Sequence, residues 1–162
     1  MVGLYINIVE KAVWSGVAAV GFGILFNVPR KVIFPIFVLA LLAGFIKLLC
    51  LEYELNIIIA TFFASLFVGI FSIIFASNIN KPLLVFGIPS IIPMIPGYFA
   101  YKTILGMKMF TLASKNIAEQ NVALNSIFTN GFTTLFVLFV ITVGVTAPLL
   151  ILGKDFARKI QD

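Results

Sequence analysis

The chain contains no histidine and one cysteine, Cys50, and charged residues make up only 10% of its 162 positions. Without histidine and with a lone thiol, Cys/His zinc sites, cysteine–histidine nucleophile pairs and an intrachain disulfide are excluded. Cys50 itself lies in an apolar run, where a free thiol behaves as a small hydrophobe. Paired carboxylates at helical spacing and metal-ligand clusters are lacking too, so no enzyme chemistry, metal or cofactor is implied. The shortage of charge excludes more than any of these. Soluble domains carry about 25% charged residues, and a chain this poor in them cannot cover a water-facing surface. What is present instead is 62% hydrophobic residues and a mean hydropathy of +1.18. The chain reads as an all-α integral membrane protein whose size suits a single transmembrane domain over residues 1–162. Its net charge of +5 does not point to nucleic acid, because the basic residues sit at segment ends, where they fix orientation in the bilayer.

A bilayer-spanning helix needs roughly 20 mostly apolar residues. Five segments qualify, at about 4–26, 33–51, 57–76, 83–105 and 127–152. Turn signals separate them: Asn27 to Lys31, the acidic loop Glu52–Asn56, and Ser77 to Pro82. Pro35 falls in the first turn of the second segment, where proline is tolerated. Residues 106–126 are more polar and read as an interfacial connector, and 153–162 as a charged tail. The N-terminus lacks a small-residue cleavage signal, so the first segment is expected to remain in the mature protein. The Arg30-Lys31 pair and the basic C-terminal cluster predict an N-terminus outside and a C-terminus in the cytoplasm.

The fourth segment is the most informative. It is almost wholly apolar yet carries Pro89, Pro93 and Pro96, with Gly87 and Gly97 beside them. Each proline removes a backbone N–H and crowds the carbonyl four residues back. The spacing predicts two half-helices around an unwound core at 88–97, so the fourth of the five helices is broken. Irregular backbone at membrane depth is tolerated only where protein buries it or water reaches it, and interrupted segments mark the binding sites of transporters. Unpaired N–H groups there attract carboxylates and unpaired carbonyls attract cations. Pro89, Pro93, Pro96 and Gly97 are therefore candidate substrate-site residues. A purely structural kink is the alternative.

Other positions are singled out by helical spacing. Thr61, Ser65, Gly69 and Ser72 share one face of the third segment, as Ser15, Ala19 and Gly23 do in the first. Small residues mark packed faces in lipid, where no hydrophobic force draws helices together; a polar path past Thr61 and Ser65 is the other reading. Asn130 and Thr134 share a face of the last segment, and an amide beside lipid needs a partner, so Asn130 is a candidate substrate contact. Glu10 falls below the interface of the first segment. Intramembrane carboxylates are functional candidates by default, here for ion coupling, against the alternative of snorkelling or pairing with lysine. Lys47 and Lys102 are expected to snorkel to the interface.

Three stretches together resemble the threonine/serine exporter family: Gly21-Phe-Gly-Ile-Leu-Phe-Asn27-Val-Pro29-Arg30, Ala64-Ser-Leu-Phe-Val-Gly69, and Ile92-Pro-Met-Ile-Pro-Gly97 followed by Tyr101. The resemblance runs from about Ala12 to Leu152, with Pro-Met-Ile-Pro-Gly its most specific element, and it is to the C-terminal five-helix half of that family. It implies a subunit of a secondary exporter of threonine, serine or related small carboxylates, driven by the proton gradient, in the bacterial inner membrane. It further implies a partner, a second five-span subunit with a hydrophilic N-terminal region. Asn27 joins the candidate polar contacts in this reading. The rival is a scaffold subunit that stabilises its partner without binding substrate.

Overall fold

The computed structural model describes residues 2–112 and 117–159, and only the backbone of residues 2, 4, 149 and 152–159. Six α-helices follow one another: α1 (Val2–Leu25), α2 (Arg30–Glu52), α3 (Ile57–Ile79), α4 (Leu84–Ile91), α5 (Gly97–Leu112) and α6 (Ile117–Lys159), with a 3-10 turn at Ile92–Met94 after α4. No strand occurs among the described residues. α1, α2, α3 and α6 are each long and apolar enough to cross a bilayer, and α4 with α5, bent by 53° at the break, adds a fifth only if the pair counts as one span. This is an all-α multi-pass membrane protein.

Asparagine stands at three helix ends, one on α1 and two on α3. Asn27 takes φ of 54°, the left-handed conformation that asparagine tolerates better than most residues. There its N–H donates to Ile24 O at 2.9 Å while Val28 N–H donates to Gly23 O at 3.1 Å, satisfying carbonyls that the end of α1 would leave bare. Asn80, with φ of 53°, closes α3 in the same way. Asn56 opens α3, its Oδ1 accepting from Ile58 N–H at 3.0 Å. α2 begins at Arg30, three residues before the expected start, so Pro35 lies in its second turn rather than its first. The expected connector at 106–126 is helical up to Leu112 and again from Ile117. Between them, residues 113–116 lie outside the described set. The charged tail is helical through Lys159, and its side chains lie outside the described residues.

The chain divides into two compact units, Met1–Met94 with Val140–Asp162, and Ile95–Phe139. In the first, α2 packs on α1, α3 and α4 around a core of Ala19, Val32, Ile36, Leu39, Ala40 and Phe86. The ring of Phe75 stacks on Phe86 at 6.3 Å. Small residues set the helix crossings. Ser15 Oγ donates across to Ala40 O at 3.3 Å, and Gly16 sits directly on Phe37. Thr61, Ser65, Gly69 and Ser72 of α3 are all buried. A Cβ on Gly69 would stand 2.9 Å from the carbonyl oxygens of Gly144 and Val145. Pro148 lacks the N–H that would bind Gly144 O, so this bare carbonyl meets the glycine backbone of α3. In the same seam Ser65 Oγ donates to Val140 O at 3.2 Å and to Phe62 O at 2.9 Å.

The second unit pairs α5 with the first part of α6. Gly106 lies against Ile127 and Ala123 O, and Gly131 faces Thr103. The polar residues of α6 do not interrupt it, because they bond back one turn. Asn130 Nδ2 donates to Ser126 O at 2.7 Å, Thr133 Oγ1 to Thr129 O at 2.7 Å, and Thr134 Oγ1 to Asn130 O at 2.8 Å. An open apolar groove of 420 Å³, lined by Thr103, Ile104, Met107, Phe128 and Leu135 among others, lies between the two helices.

Candidate functional site

The interrupted segment begins regularly. α4 runs through Pro89, which stands in its second turn and removes only the bond to Val85 O. At Ile92 the backbone tightens into the 3-10 turn, and Pro93 leaves the carbonyl of Pro89 without its helical donor. Only Ile95 and Pro96 depart from helix before α5 opens at Gly97. The break is thus much shorter than the unwound 88–97 core that proline density predicts. A single proline near a helix start removes one hydrogen bond, and the remaining turns hold.

Polar groups follow α4 from end to end within the first unit. Ser72 Oγ lies 3.7 Å from where a Cβ on Gly87 would be, so the α3 hydroxyl faces the glycine of α4. One turn on, Ser90 Oγ donates to Phe86 O at 2.8 Å and reaches Ile36 O at 3.4 Å. At the end of the 3-10 turn, Lys47 Nζ donates to Met94 O at 3.2 Å. Ser72 and Ser90 are wholly buried, as is Thr61 further along α3. Among the described residues, the hydroxyls of Thr61 and Ser72 have no hydrogen-bond partner. A buried hydroxyl without a partner is costly in an apolar surrounding, and two on one helix face are unusual where back-bonding to the preceding turn is available.

Sequence reasoning missed Lys47. It stands five residues before the end of α2, about 8 Å along the axis at 1.5 Å per residue, close enough to suggest an outward snorkel. The Cα–Cβ bonds of a helix tilt toward its N-terminus, however, which for Lys47 means back into the unit. The half-buried side chain follows that tilt and places its ammonium on the last carbonyl before the break. The tilt rule is the signal that could have found it.

The candidate residues named from the sequence are distributed as follows. Pro89 is buried and lines a 260 Å³ cleft with Phe26, Val28, Leu84, Val85 and Ile88, so the turn around Asn27 and the start of the interrupted segment meet at one end of the first unit. Asn27 itself is exposed and closes α1. Pro93 is half-buried in the 3-10 turn. Glu10 is exposed on α1 beside Tyr5, Ile6 and Val9. Pro96, Gly97 and Asn130 belong to the second unit. Gly97 opens α5 with no atom within 4 Å of a Cβ added there and with no positive φ, so neither packing nor conformation requires a glycine. Asn130 finds its partner on its own helix, in the carbonyl and hydroxyl of Ser126. Among the described residues, no group of three or more His, Cys, Asp or Glu could hold a metal ion.

Within the first unit, α4 and the turn after it thus meet the half-buried Lys47 ammonium at Met94 O and the buried hydroxyls of Ser72 and Ser90. The model of the family described as threonine/serine exporter, ThrE, matches residues 11–151. A protein of Haemophilus influenzae, named only as uncharacterized, is 27% identical over 143 residues, which are 88% of this chain and 47% of that relative. The chain therefore spans about half the length of the curated relative it matches. No solved structure matches it. With the family match covering all but the two ends, the chain belongs to the threonine/serine exporter family.

Proposed function

We propose that the chain is one membrane subunit of a secondary exporter of small amino acids, threonine and serine first, or of related small carboxylates. It works in the bacterial inner membrane with a second five-span subunit that carries a hydrophilic N-terminal region. The observation that carries this reading is the interruption after Met94 of an otherwise apolar segment, with the part-buried Lys47 of α2 donating to Met94 O. Non-helical backbone at membrane depth is tolerated only where protein buries it or water reaches it, and such interruptions mark transporter binding sites. In this reading Pro89, Pro93, Pro96 and Gly97 shape the site, Asn27 and Asn130 offer polar contacts, and Glu10 couples export to the proton gradient. The N-terminus lies outside and the C-terminus in the cytoplasm.

In this reading the companion supplies what corresponds to the rest of the curated relative, about half of whose length the chain spans. A bacterial host lacking every homologue, loaded with threonine or serine, provides the test. Intracellular amino acid should fall when chain and companion are expressed together, and not with either alone. Full export by the chain alone removes the two-component reading. Retention of the amino acids by the co-expressing strain removes the exporter reading and leaves a scaffold role.

A further inference from the structure

We infer that Lys47 is the anion-binding group of the site, and that its bond to Met94 O is the resting arrangement from which it receives the carboxylate of the transported solute. The inference rests on the exporter reading above and adds to it a residue and a recognition chemistry. Lys47 lies among Phe45, Ile46, Leu48 and Leu49, in a helix that crosses the apolar layer, where a cation is expensive and an intramembrane ionisable residue is functional by default. Its described partner is a neutral backbone carbonyl. A structural lysine at such depth would normally be paired with a carboxylate. An ammonium has three N–H donors, and one of them is engaged.

The location favours solute over structure. Met94 is the last residue before the backbone leaves helix, so the ammonium marks the point at which the chain is already open. Back along α4 from Met94 come the hydroxyl of Ser90 and then that of Ser72, which faces Gly87 from α3. Ser72 has no partner among the described residues, and a buried hydroxyl in that condition can complete the hydrogen bonds of a small polar solute. A carboxylate displaces the weaker neutral acceptor because hydrogen bonds between ionised groups are shorter and stronger than those to a neutral carbonyl. Release of Met94 O on binding then leaves the 3-10 turn free to change, which links occupancy to the shape of the break.

The test is direct binding to the full-length chain with its companion in lipid nanodiscs, measured by titration calorimetry. The probes are L-threonine, L-serine, succinate and L-threoninol, which keeps the amine and hydroxyl of threonine but lacks its carboxylate. Wild-type protein should bind at least one carboxylate compound more tightly than threoninol by about tenfold or more, the least expected of a charge-assisted hydrogen bond. Lys47→Arg should keep the preference. Lys47→Gln retains a donor for Met94 O without the charge, so it should keep its thermal stability and lose the preference. Failure of every carboxylate compound to bind more tightly than threoninol, or an unchanged preference in Lys47→Gln, would overturn the inference. Should Lys47→Gln fail to fold, the wild-type preference and its retention in Lys47→Arg still decide. Lys47-dependent binding of succinate alone would leave the inference standing and remove the amino-acid reading. Threonine binding that Lys47→Gln leaves intact would do the reverse.

Discussion

Changing Gly144 to alanine tests how the first unit is held together. A Cβ at that position would collide with Ser65 Oγ and stand 2.9 Å from Ser65 Cβ and 3.0 Å from Leu66 N. The hydroxyl can rotate away, but the Leu66 nitrogen is helix backbone and cannot, so α3 and α6 must separate. Overpacking of this kind costs about 1–3 kcal/mol. Rotation of Ser65 would also break its bond to Val140 O, and interhelical bonds in membranes average about 0.6 kcal/mol. The sum, about 2–4 kcal/mol, outweighs the about 1 kcal/mol that alanine gains over glycine from helix propensity. Gly21 supplies the control, since nothing lies within 4 Å of a Cβ there; Gly21→Ala should be neutral or stabilising. The assay is unfolding in mixed micelles, followed by circular dichroism as denaturing detergent is increased. Gly144→Ala with wild-type stability would refute the close approach of α3 and α6.

Other predictions test single contacts. Thr61→Val replaces a buried, unpartnered hydroxyl with a methyl of similar volume and should stabilise the protein by about 1 kcal/mol in the same unfolding assay; a loss of stability would show that the hydroxyl has a partner. Asn27→Gly keeps the left-handed turn but removes the amide, so export near the wild-type level marks Asn27 as a helix terminator and a collapse of export marks it as a solute contact. Asn27→Val, which the left-handed conformation disfavours by about 1–2 kcal/mol, should lower the yield of folded protein in the membrane. A reporter fused to the C-terminus should read cytoplasm and one inserted in the Glu52–Asn56 loop the outside; both on one side would contradict the five-span topology.

The spans were legible because lipid imposes long apolar helices, and polar turns at Asn27, Glu52–Asn56 and Asn80 mark where they stop. The small-residue face of α3 was legible for a related reason: its four-residue spacing is visible without knowing the partner helix. The extent of the break was not. Proline count measures lost hydrogen bonds but not position within a helix, and Pro89 stands where the loss is cheapest. The early start of α6 at Ile117 was hidden because Lys108, Lys115 and Glu119 interrupt the apolar pattern that marks a span, although charge does not end a helix. The Lys47–Met94 contact joins residues 47 apart in sequence, so no periodicity could reveal it.

The most direct test of the central claim restores the interrupted helix. Pro93→Leu with Pro96→Leu returns two backbone N–H groups and relieves a helix-interior penalty of about 3 kcal/mol per proline relative to alanine. Export of threonine or serine should be measured in the same cells as co-purification with the companion subunit. The account predicts that the double variant reaches the membrane and co-purifies as the wild type does, while export is abolished. Wild-type export from the double variant would contradict it.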